Sequence, residues 1–150
     1  MKFLDEVLAI ALSTSSQTLQ QPSIRTPIVI SLGAIAGALS RYYISIWFAK
    51  IFGVNFPYGT FFVNITGCIV MGFFVTLITQ QVLKVSPEFA LWLGVGFLGS
   101  YTTFSSYQLD SIKLLNEGNC TTFVFYWLGS AILGLFSIKL GITLANCIKF

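Results

Sequence analysis

The stretch between Glu88 and Asp110 constrains the fold most, because its length fits a membrane span while its centre is poor in helix-forming residues. Its 21 residues carry no charge, and about 20 apolar residues suffice to cross a bilayer. The centre reads GVGFLGSYTTFSSY over residues 94–107. In hydrocarbon, a non-helical break is tolerated only where it is buried in protein or lines a wet cavity. Broken helices at this depth present backbone groups to ions, so the segment predicts an ion-handling membrane protein.

The composition supports a membrane protein and excludes several classes of function. Hydrophobic residues make up 55% of the 150 residues and charged residues 9%, whereas soluble domains carry about 25% charged residues. The net charge of +3 is scattered, so no basic patch is available for nucleic acid. The chain contains no His, which is the commonest general base and metal ligand. No catalytic group is therefore visible, and the chain is not predicted to be an enzyme.

The hydropathy pattern predicts an all-α membrane protein with four transmembrane helices, the third of them broken in mid-membrane. The predicted spans cover residues 28–48, 57–83, 89–115 and 122–142. They form one domain over residues 28–150, preceded by an N-terminal leader at 1–27 that is amphipathic or flexible. Four spans give few surfaces with which to enclose a pathway, so we expect an oligomer in the cell inner membrane, in contact with lipid.

The positive charges are nearly balanced between the two sides of the predicted membrane. One side carries Lys2, Arg25, Lys84 and Lys149, and the other carries Arg41, Lys50 and Lys113. Orientation follows an excess of Lys and Arg on the cytoplasmic side, and four against three is no such excess. The pattern therefore predicts insertion in both directions and pairing as an antiparallel dimer.

Three polar side chains lie inside or beside the apolar spans, and each has two interpretations. Asn64 either hydrogen-bonds a neighbouring helix or turns its NH₂ group towards an anion. Arg41 either extends to the membrane interface or attracts anions into a vestibule. Asp110 is either an interfacial carboxylate or the partner of a cation or a backbone amide.

Phe104 and Tyr107 directly follow the Gly/Ser/Thr segment. Their spacing places them on one helix face, about 5–6 Å apart. Aromatic rings have positive edges, so a ring seen edge-on can contact an anion while leaving it free to depart. The Tyr107 hydroxyl either points into the pathway or reaches a neighbouring span, and we predict that the ring edge is its essential part.

Three segments on successive spans resemble the bacterial fluoride channels called Fluc or CrcB. These segments are GAIAGALSRY at residues 33–42, YGTFFVNITG at 58–67 and GFLGSYTTFS at 96–105. The resemblance covers about residues 28–145, and it implies a fluoride-selective channel that exports fluoride passively and so limits its toxicity. It also implies an antiparallel, dual-topology homodimer with a structural sodium ion at its centre.

The resemblance further implies roles for particular residues. The fluoride pathway would comprise Asn64, Phe104, Tyr107, Ser105, Ser106, Tyr126 and Ser130. Arg41 would lie in the vestibule, and the backbone carbonyls of Gly99 and Thr103 would hold sodium. Tyr107 stands where a second Phe is expected, Ser106 where a Thr is usual and Asp110 where a Glu is common.

A small four-span multidrug transporter is the alternative function, since it too forms a dual-topology dimer. Such transporters couple protons through a carboxylate in the first span, and residues 28–48 contain no acid. A purely structural subunit would explain the glycine-rich helix faces but not the polar break in span 3.

Overall fold

The computed structural model describes residues 21–148, which form an all-helical bundle. Helix α1 is Pro22–Phe52, α2 is Tyr58–Thr79, α4 is Phe104–Asn116 and α5 is Cys120–Cys147. Helix α3 covers residues 87–101, in which a turn at Pro87–Ala90 leads into a π-helix at Leu91–Leu98 and a last α-turn at Gly99–Tyr101. Of the described helices, three are long and apolar enough to cross a membrane (α1 from Ile24, α2 and α5). The fourth element, α3 followed by α4, is broken as predicted.

The observed helix ends differ from the predicted spans for local reasons. Helix α1 begins at Pro22 rather than at residue 28, because a proline is well suited to the first position of a helix. It runs on to Phe52 and stops at Gly53, whose φ of 79° suits a glycine. Helix α2 stops at Thr79 rather than at residue 83, and Gln81 has a φ of 57°. Residues 1–20, which include most of the predicted leader, lie outside the described residues, and so does Lys149.

Glycines set the distance between α2 and α5, the most extensively packed pair of helices. A Cβ atom added at Gly141 would overlap the Ile69 carbonyl, and one added at Gly72 would overlap the Ile138 carbonyl. Tyr126 and Ser137 are buried along the same side of α5 as Gly141. This small-residue face of α5 is therefore a helix interface.

A second glycine contact joins α1 to α3. A Cβ atom at Gly33 would meet the Trp92 carbonyl and the backbone of Gly96, and one at Gly37 would meet Phe97 and Ser100. The close approach lets the Ser100 hydroxyl donate to the Ala34 carbonyl across the interface, at 2.9 Å. The small-xxx-small motif of the first span thus packs on the broken span, as such motifs do in membranes.

The π-helix of α3 keeps a row of aromatic rings on one side. Trp92 and Phe97 are five residues apart, yet their rings stack with centroids 6.1 Å apart and an interplanar angle of 22°. Hydrogen bonds from i to i+5 bring residues five apart close to one turn from each other. Phe89 stacks on Trp92, and Phe97 stacks on Tyr101. The row supports α3 up to the residue where the helix ends.

The packing predicts that Gly141→Ala destabilises the protein while Gly129→Ala, in the same helix, does not. The new methyl group at 141 must displace backbone atoms of α2, whereas nothing lies within 4 Å of a Cβ atom at 129. Overpacking of this kind costs about 1–3 kcal/mol. Thermal unfolding of the detergent-purified proteins, followed by tryptophan fluorescence, measures the difference. Equal melting temperatures for the two variants would contradict the assigned packing.

Candidate functional site

The site is built around the two residues that separate α3 from α4. Thr102 has a ψ of 156° and Thr103 a φ of −151°, so both are extended. The Thr103 hydroxyl then caps α4 by accepting from the Ser106 N–H, at 3.2 Å, which is the usual role of a threonine at this position. The break in the third span, predicted from its composition, is therefore a short extended link between two half-helices.

Asn64 on α2 pairs with the backbone of the break through both ends of its amide. The Thr103 N–H donates to Asn64 Oδ1 at 2.8 Å, and Asn64 Nδ2 donates to the Thr103 carbonyl at 3.1 Å. Of the two interpretations of Asn64, the structure therefore shows the hydrogen bond to a neighbouring segment of the chain. An amide NH₂ group has two donors, so one N–H remains after the Thr103 bond is made.

The break leaves carbonyls at the end of α3 without helical donors. If the helix continued, the Thr103 N–H would donate to the Gly99 carbonyl, but it donates to Asn64 instead. The Ser106 N–H, which would serve Thr102, donates to the Thr103 hydroxyl. Arg41 on α1 donates from Nε to the Ser100 carbonyl at 3.1 Å. Arg41 therefore lies against the carboxyl end of α3, where a cation also complements the helix dipole.

A groove of about 400 Å³ opens beside the break on the surface of the protomer. Its lining includes Asn64, Thr103, Phe104, Tyr107, Ser130 and Gly134. Four of the residues assigned to the pathway by resemblance (Asn64, Phe104, Tyr107 and Ser130) thus meet in one place. Phe104 is 73% exposed, although it sits next to a polar break.

The hydroxyl groups of the break form a small cluster. Thr103 Oγ1 lies 3.2 Å from Ser105 Oγ and donates to Ser106 Oγ at 3.1 Å. Ser105 is exposed and Ser106 is half-buried. The two serines therefore extend the polar surface from the break along the first turn of α4.

Tyr126 and Ser130 on α5 each bury a hydroxyl oxygen that has no hydrogen-bond partner among the described residues. Tyr126 is fully buried. Buried polar groups are nearly always paired, and an unpaired one costs about 1–3 kcal/mol. The two hydroxyls lie one turn apart on α5.

Three aromatic rings connect the groove to the bundle interior. The ring centroids of Phe104 and Tyr107 are 5.7 Å apart, within the predicted range, and those of Tyr107 and Tyr126 are 5.4 Å apart. The Tyr107 ring is buried, and its hydroxyl donates to the Trp127 carbonyl on α5. Of the two alternatives for this hydroxyl, the structure shows the bond to a neighbouring span.

A second cavity, of about 260 Å³, lies where α4 ends, and it is lined in part by Thr60, Asp110, Lys113 and Glu117. Thr60 donates to Asp110 Oδ2 at 2.7 Å, which fixes the carboxylate against α2. Thr60 was not among the predicted site residues. Its position one turn before Asn64, on the same helix face, was the available signal.

Side chains offer no metal site in the described part of the chain, because no three His, Cys, Asp or Glu residues come together there. A cation at the break would have to be held by backbone carbonyls. Hard cations take such oxygen ligands, and the carbonyls of Gly99 and Thr102 are two oxygens at the break whose helical N–H partners bond elsewhere.

Comparison with known proteins gives a consistent result over most of the chain. The family profile described as CrcB-like protein, Camphor Resistance (CrcB), matches residues 28–142. A protein of Trichormus variabilis named fluoride-specific ion channel FluC is 61% identical over 128 residues, or 85% of this chain and 93% of its own length. Proteins with the same name from Synechococcus and Synechocystis are 52% and 50% identical, each over 83% of this chain and 95% of their own length.

The paired hydrogen bonds predict different effects for two substitutions of Asn64. Asn64→Asp keeps the oxygen that accepts from the Thr103 N–H, whereas Asn64→Leu removes both bonds. Hydrogen exchange at the Thr103 amide should therefore remain slow in Asn64→Asp and become faster in Asn64→Leu, by about five-fold if one ordinary hydrogen bond is lost. Gln80→Leu, which breaks an exposed side-chain bond to Asn146, is the control and should leave Thr103 unchanged. Unchanged exchange in Asn64→Leu would contradict the pairing.

Proposed function

Because the chain belongs to the CrcB family, we propose that it is a fluoride-specific ion channel, as its relatives are named. It is a multi-pass membrane protein, and in bacteria its location is the inner membrane. The ion would pass down its own gradient, out of the cell, and so limit fluoride toxicity. The observation that carries the proposal is the groove beside the break, which brings Asn64, Phe104, Tyr107 and Ser130 together.

The groove offers hydrogen-bond donors to an anion without presenting a full positive charge. An isolated ion loses tens of kcal/mol when it leaves water for an apolar medium, so donors along the path are required. The second N–H of Asn64 and the hydroxyls of Ser105, Ser106, Tyr126 and Ser130 would replace water. The edge of the Phe104 ring adds a weak positive potential, and weak sites allow release.

A proton-coupled multidrug transporter is not favoured. Helix α1 contains no Asp or Glu from Pro22 to Phe52, so the carboxylate on which such coupling depends is missing from the first span. Of the described carboxylates, Glu88 lies at the start of α3 and Glu117 follows α4, while Asp110, midway along α4, accepts a hydrogen bond from Thr60. A passive pathway needs no titratable group at its centre.

The function is tested by fluoride efflux from liposomes containing the purified protein, with chloride as the competing anion. We expect rapid fluoride efflux and little chloride efflux from the unaltered protein, and strongly reduced fluoride efflux from Phe104→Ile. The isoleucine keeps apolar bulk but lacks the ring edge. Leu109→Ile, at an exposed position on the same helix, is the matched control and should transport normally. Equal efflux of both anions would refute the proposed function.

We also propose that the channel is a homodimer, because the protomer leaves its polar break open. Gly99, Phe104 and Ser105 are exposed on its surface, and irregular backbone at membrane depth cannot face lipid. A second copy of the chain would cover this surface. The balance of positive charge, with Arg25 and Lys84 near one end and Lys50 and Lys113 near the other, allows the two copies to insert in opposite directions.

A structural sodium ion would fit the centre of such a dimer. Two copies of the break would bring together carbonyls that lack helical donors. The resemblance implies Gly99 and Thr103 as ligands, but the Thr103 carbonyl accepts from Asn64 and, as the N-cap carbonyl of α4, from the Tyr107 N–H. We therefore propose Gly99 and Thr102. The ion would supply positive charge that holds the two breaks together.

Native mass spectrometry from detergent tests the dimer and the sodium ion together. We expect a dimer that retains one sodium ion, and a lower melting temperature when sodium is replaced by N-methylglucamine at constant ionic strength. A stable monomer would contradict the proposed dimer, and a dimer whose mass and stability are indifferent to sodium would contradict the proposed ion.

The orientation of the two copies is tested by adding several lysines to one end of the chain. The protein with this charge bias should be inactive alone and active when it is co-expressed with a copy biased in the opposite direction.

A further inference from the structure

Ser100, in the last turn of α3, is bonded to α1 through both its side chain and its main chain. Its hydroxyl lies 2.9 Å from the Ala34 carbonyl of α1. Its own carbonyl accepts from Arg41 Nε, also on α1, at 3.1 Å. The end of α3 is therefore attached to α1 at two points of a single residue.

The hydroxyl of Ser100 links two helices because α1 approaches it closely. It also lies 2.8 Å from the Gly96 carbonyl of its own helix, which is the usual acceptor for a serine in a helix. Its single proton is thus shared between α3 and α1. A Cβ atom added at Gly37 would overlap this hydroxyl, so the contact with α1 depends on a glycine at that position.

Gly99, the residue before Ser100, has little in the described part of the chain to hold it in place. It is exposed, and beyond its chain neighbours and the adjoining helical turn the nearest atom to a Cβ at this position is the Gly94 carbonyl oxygen, at 3.9 Å. The Thr103 N–H, which would fix the Gly99 carbonyl in a continuous helix, bonds Asn64 instead. The orientation of this carbonyl therefore depends on the residues beside it.

Ser100 is the neighbour that can set this orientation. The Gly99 carbonyl and the Ser100 N–H belong to one planar peptide unit, so a residue held firmly at position 100 restricts the carbonyl at 99. Leu98, on the other side, is 1% exposed and held by burial. An exposed glycine carbonyl thus lies between two fixed residues.

We propose that Ser100 is a positioning residue whose bonds to α1 keep the Gly99 carbonyl in a fixed orientation for the sodium ion. The inference rests on the sodium ion proposed above and extends it to a residue that is not itself a ligand. A ligand that is already ordered costs less to bind than one that must be ordered at each binding event. The bonds of Ser100 should therefore raise the affinity of the dimer for sodium.

Ser100→Ala isolates the contribution of the hydroxyl. Alanine keeps the helix and leaves no buried group unpaired, because the Ala34 carbonyl retains its own helical donor. A substitution of Arg41 would be less informative, since a change of charge acts on a nearby cation directly. The Ser100→Ala dimer should form and should bind sodium more weakly.

Equilibrium dialysis of the purified dimer against radioactive sodium, with N-methylglucamine keeping the ionic strength constant, measures this affinity. We expect the half-saturating sodium concentration to rise about five-fold or more in Ser100→Ala, the effect of one ordinary hydrogen bond lost from each copy. A serine that only stabilised the fold would change the melting temperature and leave sodium binding unchanged.

Ser111→Ala is the matched control. Ser111 is also a buried serine of the broken span, but its hydroxyl donates to the Tyr107 carbonyl of its own helix, at 2.7 Å. This variant should leave the half-saturating sodium concentration unchanged. Unchanged sodium binding in Ser100→Ala, an equal loss in Ser111→Ala, or no sodium binding by the unaltered dimer would overturn the inference. Sodium binding without fluoride efflux from the unaltered protein would instead refute the proposed function.

Discussion

The pairing of Asn64 with the backbone of Thr103 is the interaction on which the rest of the site depends. A helix that stops inside a membrane releases N–H and C=O groups that water cannot reach, and each unpaired group is costly. Asn64 takes one of each kind, at 2.8 and 3.1 Å. Arg41 takes a third group, the Ser100 carbonyl, and the Thr103 hydroxyl takes a fourth, the Ser106 N–H. The carbonyls of Gly99 and Thr102, which lose their helical donors at the break, lie where a cation is proposed. Specific side chains thus bond most of the backbone groups that the break would otherwise leave unpaired.

The packing of the helices brings Arg41 and Asn64 within hydrogen-bond distance of the break. Arg41 can contact the end of α3 only because Gly33 and Gly37 let α1 approach its backbone closely. Asn64 is held on the opposite side by α2, which Gly72 and Gly141 lock against α5. The π-helix and its row of stacked rings deliver α3 to the point where both side chains meet it. The glycines therefore matter for the site because they set the distances between helices, and these distances determine whether Arg41 and Asn64 reach the break.

Much of this arrangement could be predicted from the sequence, because the membrane restricts the possible structures. The four elements, the break and the Phe104–Tyr107 spacing all follow from length, composition and helical period. The partners of individual groups do not. Nothing in the sequence says that Asn64 pairs with Thr103 rather than with another helix, that Tyr107 donates to Trp127, or that Thr60 holds Asp110. The π-helix was also not predicted, since it depends on how α3 packs against α1 and not on its own hydrophobic pattern.

Asn64 is assigned two tasks, holding the break and donating a hydrogen bond to the ion, and one variant separates them. Asn64→Asp retains the acceptor for the Thr103 N–H but replaces the donors with a negative charge beside an anion pathway. The most direct measurement is fluoride efflux from liposomes containing this variant, made on protein whose Thr103 amide is shown to remain protected from exchange. The account predicts an intact break and no fluoride efflux. Normal efflux through Asn64→Asp would contradict it, because the pathway would then not run past this side chain.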